Sequence, residues 1–114
     1  MGFMHYVRQF IHTNEDEHQP TYRILRVTDL AGFPKEDADS VRLRGATFSD
    51  LWLAHRADEI THEIKPILFL EYLTDGDGNP KLGYLHTSMI DSMKEENGKY
   101  FFQTAHSIYV IRRE

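Results

Sequence analysis

The sequence predicts an α+β domain in which a bent antiparallel sheet or small barrel of six to seven strands surrounds one mid-chain helix. Two observations carry this prediction. Short runs of aromatic and β-branched residues recur along the 114-residue chain, separated by clusters of turn-forming residues. One longer stretch in the middle has a helix-capping pattern and an apolar stripe at helical spacing. No internal repeat is visible, so residues 1–114 are interpreted as a single domain.

The N-terminal part predicts two strands, Phe3–Thr13 and Thr21–Val27, because both runs are rich in aromatic and β-branched residues. The polar stretch Asn14–Gln19 between them is expected to form an exposed loop, which makes the pair a wide hairpin. Gly32 and Pro34 then interrupt any regular element, so the chain turns there.

The middle of the chain predicts the helix. Lys35–Asp39 fits either one helical turn or a solvated loop, and Ser40–Gly45 alternates as a short strand does. Thr47-Phe48-Ser49-Asp50 matches a capping pattern, in which a Thr hydroxyl and an acidic side chain satisfy free amides at a helix start. A helix is therefore expected over Phe48–Ile64 and is ended by Pro66. Its apolar stripe comprises Leu53, Ala57, Ile60 and Ile64.

The C-terminal part predicts antiparallel strands. Ile67–Leu73 is almost wholly apolar and is expected to be a central strand buried on both faces. Lys81–Thr87 returns antiparallel to it, because the intervening turn is too short for a parallel crossover. Ser88–Met93 is interpreted as a short capped turn, followed by the strands Lys99–Thr104 and Ser107–Arg112.

Composition narrows the functional classes. The formal charge of -5 disfavours a general nucleic-acid or anionic-membrane binder, although a local basic patch is compatible with it. The absence of Cys excludes thiol chemistry and Cys-ligated zinc. No apolar run reaches the ~18 residues of a membrane span, and the first residues do not read as a secretory signal. A cytoplasmic protein with no membrane association is expected.

Metal and cofactor binding are not predicted. Seven histidines are present, but His55 and His62 stand about two helical turns apart on the expected helix, too far to share one zinc. The stretch Asp75–Asn79 has the alternating oxygens of a calcium loop, yet Pro80 and Lys81 replace its continuation. A hairpin turn is the interpretation adopted for it, and no cofactor is expected.

No catalytic motif is recognised either, so the protein is not expected to be an enzyme. Ser88 stands two residues from His86, but it lies in no Gly-x-Ser-x-Gly elbow. A small enzyme that uses His86 or His106 remains a third hypothesis, because it requires a pocket that a sequence cannot reveal.

Two sets of charged residues are candidate binding sites. Arg23, Arg42 and Arg44 fall on predicted strands and would form a sheet-borne arginine patch for RNA or a nucleotide. The acidic loop residues would instead contact a basic groove on a protein partner. This second set comprises Glu15, Asp16, Glu17, Glu36, Asp37, Asp39, Asp75 and Asp77. Aromatic residues would form such a contact instead if they are exposed, and otherwise belong to the core; these are Trp52, Tyr72, Tyr84 and Phe101.

The C-terminal hairpin residues carry a resemblance. His86-Thr87-Ser88-Met89-Ile90, followed by a strand ending in Thr104-Ala105-His106-Ser107-Ile108-Tyr109, resembles a pattern of small uncharacterised bacterial and phage proteins. Small size, acidity and lack of Cys are also similar to phage-encoded inhibitors of host defence, including anti-CRISPR proteins. The resemblance implies a non-enzymatic inhibitor or regulator, phage or mobile-element encoded, that binds a host defence or nucleic-acid-handling complex. A small RNA- or nucleotide-binding module is the alternative.

Overall fold

The computed structural model describes residues 21–114, which form seven strands and one short helix. The predicted strand Phe3–Thr13 and its hairpin lie outside the described residues. The elements are β1 (Tyr22–Thr28), α1 (Ala38–Leu43), β2 (Thr47–Ala57), β3 (Ile64–Thr74), β4 (Tyr84–Met89), β5 (Ser92–Glu96), β6 (Lys99–Gln103) and β7 (Ile108–Arg113). Among these residues the longest helix has six residues, so none of the described helical structure could cross a membrane.

All seven strands form one antiparallel sheet with the order β4-β3-β2-β1-β7-β6-β5. The sheet bends so far that its edge strands, β4 and β5, are joined by Ile90 and Asp91 alone. The Ile90 amide donates to the Pro66 carbonyl of β3, and the Asp91 amide donates to the Gln103 carbonyl of β6, each at 2.7 Å. Within residues 21–114 no ladder joins β4 to β5. The bent antiparallel sheet is thus confirmed, and it stays open rather than closing into a barrel.

The bend divides the sheet into two halves. β1 and β2 pair only at Tyr22 with Phe48 and at Arg23 with Thr47, whereas β2 and β3 pair along their whole length. Strands β2, β3 and β4 therefore form one half, and β1, β7, β6 and β5 form the other. The inward sides of both halves build one apolar core. Its fully buried side chains include Tyr22, Ile24, Phe48, Leu51, Leu68, Leu70, Phe102 and Ile111.

The predicted helix Phe48–Ile64 is wrong. Its first part is β2, which then turns back into β3, so Pro66 lies inside a strand instead of ending a helix. The turn between the strands is built by Asp58, whose carboxylate accepts from the Ile60 and Thr61 amides at 2.8 and 2.9 Å. A β-bulge between Phe48 and Asp50 changes which residues face inward, and this concealed the two-residue period of a strand.

The helix lies where a strand was predicted. Residues 38–43 form α1 in place of the strand Ser40–Gly45. Asp37 caps it, because its carboxylate accepts from the Ser40 amide at 3.0 Å and from the Ser40 hydroxyl at 2.9 Å. The alternating Val41 and Leu43 that suggested a strand occupy less than two turns of helix, and Leu43 packs against the core. The stretch Lys35–Asp39 was predicted to be either a loop or a helical turn. Residues 35–37 precede the helix and form a loop, whereas residues 38 and 39 belong to α1.

The C-terminal predictions are largely confirmed. β4, β6 and β7 match the expected strands within a few residues, and each pairs antiparallel with its neighbour. The predicted turn Ser88–Met93 is wrong, since this stretch contains the end of β4, the corner and the start of β5. β3 is not buried on both faces, because Glu71 and Leu73 are exposed, and it is not central, because it lies next to the edge strand β4.

Candidate binding surfaces

Each half of the sheet presents an outer face of distinct chemistry. Successive side chains of a strand point to opposite sides, and directly paired residues share a side. The outer side of the β2–β3–β4 half carries what we call the aromatic face, made of Trp52, Phe69, Tyr84 and His86. The outer side of the other half carries the basic face, made of Arg23, Arg26, Lys94, Lys99 and Arg112 around Phe101.

The rings of the aromatic face contact one another across three strands. Trp52 of β2 stacks on Phe69 of β3, with ring centroids 5.7 Å apart and planes within 9°. Tyr84 of β4 stands edge-on to Trp52 at 5.4 Å, and the His86 ring lies 5.7 Å from Phe69. Tyr84 is 59% exposed. The face is therefore a continuous layer of rings that reaches the sheet edge with solvent-accessible surface.

Charges of opposite sign bracket the aromatic face. Asp50 of β2 and Glu71 of β3 are cross-strand neighbours towards one end of the face. Arg56 of β2 and Lys65 of β3 are cross-strand neighbours towards the other end. Lys65 also donates to Asp91 at 2.9 Å, and this contact raises the pKa of the lysine. The aromatic face thus has an acidic end, an apolar middle and a second end where Arg56 lies beside Lys65, which is paired with Asp91 and Glu63.

The basic face is ordered in two rows by the strand register. Lys99 of β6, Arg112 of β7 and Arg23 of β1 are paired in sequence and form the first row. In the second row, Phe101 and Val110 are paired between Lys94 of β5 and Arg26 of β1. The Lys94 ammonium lies 5.2 Å from the centre of the Phe101 ring. Cations therefore surround one half-buried aromatic ring.

One carboxylate lies against the first row. Oε2 of Glu114 accepts from Nε of Arg23 at 2.8 Å and from an Nη of Arg112 at 2.7 Å. The two guanidinium groups hold the pKa of Glu114 below its usual range. A single oxygen that bridges two arginines shows that their donors converge on one point, which is the geometry of an oxyanion site.

The predicted arginine set is divided by the structure. Arg23 belongs to the basic face, whereas Arg42 and Arg44 lie in and after α1. Both line a surface depression of about 270 Å³ together with Tyr72, Lys81 and the β3–β4 turn. The Lys81 ammonium lies 4.9 Å from the centre of the Tyr72 ring, and burial raises the pKa of Tyr72. This depression mixes cations with acids of the second predicted set.

Most of the described acidic candidates have local partners. Asp39 pairs with Arg42, and Glu36 pairs with Arg44 at 3.1 Å. The carboxylate of Asp75 accepts from the Asp77 and Asn79 amides at 2.9 and 3.0 Å and so forms the turn. Asp75 and Asp77 line the depression near the two arginines. Glu15, Asp16 and Glu17 lie outside the described residues.

The histidine and serine candidates are spread over the sheet. His86 and Ser88 line a shallow depression with Arg56, Ile67, Thr87 and Met89, while His106 is exposed in the β6–β7 turn. Ser107 is buried in that turn and its hydroxyl accepts from Lys35 at 2.9 Å. Within residues 21–114 no three His, Asp or Glu side chains are grouped as metal ligands would be.

The sequence identified Trp52, Tyr84 and Phe101 as candidate contact residues. It did not identify the side chains that surround them on the two faces. Phe69 was assigned to a strand buried on both faces. Arg26 and Arg112 were recognised as arginines of predicted strands, but the predicted patch joined Arg23 to Arg42 and Arg44, and Lys94 and Lys99 were assigned to no surface. Tyr72 points instead into the molecule, where its ring lies 4.8 Å from Phe48. Strand register is the signal that groups these residues, and it needs the pairing of strands distant in sequence.

Comparison with known protein families, curated proteins and solved structures gives no match. The resemblance to small bacterial and phage proteins therefore stays a prediction.

Proposed function

We propose that this chain binds a protein partner through the aromatic face and acts without catalysis, as an inhibitor or regulator that covers part of a larger protein. The observation that supports this proposal most is the continuous ring contact of Trp52, Phe69, Tyr84 and His86. Aromatic side chains that lie together and reach solvent are frequent anchors of protein interfaces. The opposite charges at the two ends of the face would fix the orientation of the partner.

The adjacent sheet edge supports the same proposal. β4 is an edge strand, and its sequence Tyr84–Met89 carries no Lys, Arg, Asp or Glu. Charged side chains are a common protection against strand pairing at an edge, and the other edge strand, β5, has Lys94, Glu95 and Glu96. An extended segment of the partner would pair with β4 and place alternate side chains on the aromatic face.

The identity of the partner rests on the resemblance. We propose that it belongs to a host defence or nucleic-acid-handling complex and that the contact forms in the cytoplasm. The acidic residues first considered for this contact take a secondary place. Asp37 and Asp75 cap backbone amides, and Glu36 and Asp39 are paired with arginines.

A capture experiment with matched variants tests the proposal. The tagged chain is incubated with bacterial host lysate after nuclease treatment, washed at low and at high salt, and the retained proteins are identified by mass spectrometry. We expect one stoichiometric protein that persists at high salt, because an apolar contact is screened little by ions. Tyr84→Arg should abolish its capture.

Phe33→Arg is the matched control, since Phe33 is also a strongly exposed aromatic residue, at 69%, but lies in the loop between β1 and α1. It should capture the partner as the unmodified chain does. Equal capture by the Tyr84→Arg chain, or release of every protein at high salt, would overturn the proposal.

A further inference from the structure

We infer that the basic face is a binding site for single-stranded nucleic acid, separate from the aromatic face and independent of the protein partner proposed above. The cations that form it come from four strands, β1, β7, β6 and β5, and share one side of the sheet because of their register. Only one member, Arg23, belongs to the arginine patch that the sequence predicted.

The spacing of the face suits a phosphate backbone. Lys99, Arg112 and Arg23 stand side by side on adjacent strands, which lie about 4.8 Å apart. Lys94 and Arg26 continue the positive charge along the second row. Neither Arg26 nor Lys99 forms an ion pair with any residue from 21 to 114, so both are available to a ligand. Glu96, paired with Lys99 in the register, is the acid beside this row on β5.

Glu114 marks where a phosphate would sit. Its Oε2 atom is held by Arg23 and Arg112 together, as one oxygen of a phosphate would be. A phosphate carries more oxygens and can reach further cations of the face, so it would displace the carboxylate. Glu114 therefore acts as an internal competitor that lowers affinity.

The aromatic ring indicates a single strand in preference to other polyanions. Phe101 lies in the middle of the second row, half-buried and flanked by Lys94. An unpaired base can stack on such a ring while its phosphates contact the surrounding cations. A duplex keeps its bases paired and would gain nothing from Phe101, and neither would a polyanion without bases. The local character of the site agrees with a chain whose total charge is -5.

Fluorescence anisotropy with a labelled single-stranded oligonucleotide of about 12 nucleotides tests this inference, a length within the site sizes of small sheet domains. We expect Kd to rise steeply with salt. Arg26→Ala should weaken binding several-fold and lower the slope of log K against log salt by about 0.7, the value for one lost single-strand phosphate contact. Phe101→Leu should weaken binding by about tenfold at every salt concentration.

Glu114→Gln gives the most diagnostic result, because it should strengthen binding several-fold by freeing Arg23 and Arg112. Arg56→Ala is the matched control, as it removes an exposed arginine from the other half of the sheet and should leave Kd unchanged. Circular dichroism checks that each variant is folded.

The inference fails if the oligonucleotide does not bind, or if Arg26→Ala and Arg56→Ala behave alike. Equal affinity for inorganic polyphosphate, together with no effect of Phe101→Leu, would also overturn it and indicate a site for polyanions in general. Tyr84→Arg should bind the oligonucleotide normally. Loss of protein capture with retained oligonucleotide binding therefore separates this site from the aromatic face.

Discussion

The two halves of the sheet share one core but differ on their outer sides. The β2–β3–β4 half turns stacked rings outward, with Trp52 on Phe69. The outward positions of the β1–β7–β6–β5 half carry cations instead, with Arg112 between Lys99 and Arg23. The buried inward side chains of both halves form one core that is mostly apolar. The buried inward side chains are thus constrained by packing, whereas the exposed outward side chains of the two halves differ in chemistry.

The edges of the halves repeat this difference. β5 ends the basic half with Lys94, Glu95 and Glu96, which discourage pairing with another strand. β4 ends the aromatic half with uncharged and aromatic residues apart from His86. Within residues 21–114, one edge strand therefore carries protective charges and the other does not, although Ile90 and Asp91 alone separate them along the chain.

The largest effect is expected from substitutions in the shared core, which show whether the two halves of the sheet fold as one unit. Phe102→Ala removes a fully buried ring from the basic half and should cost about 3–5 kcal/mol in the free energy of unfolding. Because the core is shared, the aromatic half should lose the same stability. Trp52 is the single Trp of the chain and reports on the aromatic half by fluorescence, while circular dichroism reports on the whole sheet.

Urea unfolding followed by both probes should give coincident transitions shifted to the same lower midpoint. Leu70→Ala, in the aromatic half, should act likewise with a loss of about 2–5 kcal/mol. A Trp52 transition that stays in place when Phe102 is replaced would show two independent units. If Phe102→Ala is unfolded in buffer, Phe102→Leu provides the milder comparison.

The sequence predicted the parts of this fold that depend on local patterns. β6 and β7 were found because aromatic and β-branched residues are dense there, and β3 because of its apolar run. β2 was taken for a helix for a physical reason. The bulge near Phe48 interrupts the alternation of buried and exposed residues in β2. As a result Phe48 and Leu51, three positions apart, both face inward. An odd spacing of this kind also fits one face of a helix.

The candidate surfaces were less predictable, because each is assembled by register between distant segments. Arg23 and Arg112 are 89 positions apart in the chain and are neighbours only through the pairing of β1 with β7. Arg42 and Arg44 alternate in the sequence as outward residues of a strand would. They lie instead in and directly after α1, where they face the β3–β4 turn. Without the pairing of strands, a list of arginines does not define a surface.

Alkaline pH should destabilise the sheet through the buried tyrosines of the basic half. Burial raises the pKa of Tyr22, Tyr100 and Tyr109 above the ordinary value of 10.0, because the phenolate is poorly solvated inside the protein. The folded state therefore keeps protons that the unfolded state has lost. The contribution of these tyrosines to stability should be constant below pH 10 and should fall as pH rises above it.

Urea unfolding at several pH values, with tyrosinate absorbance recorded in parallel, measures this effect. The absorbance of the buried tyrosines should rise together with unfolding. Tyr109→Phe should make the decline shallower, because it removes one of the groups whose ionisation drives it. A stability that is unchanged at pH 11 would contradict the role assigned to burial.

The smallest effects are expected at the turns that shape each half. In the aromatic half, a Cβ at Gly76 would lie 2.5 Å from the Arg42 carbonyl and 2.6 Å from that of Arg44. Since both obstacles are backbone atoms, the β3–β4 turn would have to move away from α1. Gly76→Ala should therefore cost about 1–3 kcal/mol and loosen the depression between them. Thermal unfolding measures this cost, and Asp77→Ala at the next position is the control.

In the basic half the corresponding turn is sensitive for another reason. Gly98 has a φ of 79° and its neighbour Asn97 a φ of 54°, while no atom lies within 4 Å of a Cβ placed on Gly98. Gly98→Ala meets no obstacle and should cost only the left-handed backbone penalty of about 1 kcal/mol. A larger loss at Gly98 than at Gly76 would mean that backbone conformation, and not close packing, governs both turns. We expect the larger loss of stability from Gly76→Ala. That result would mean that steric contact limits the turn of the aromatic half and backbone conformation the turn of the basic half.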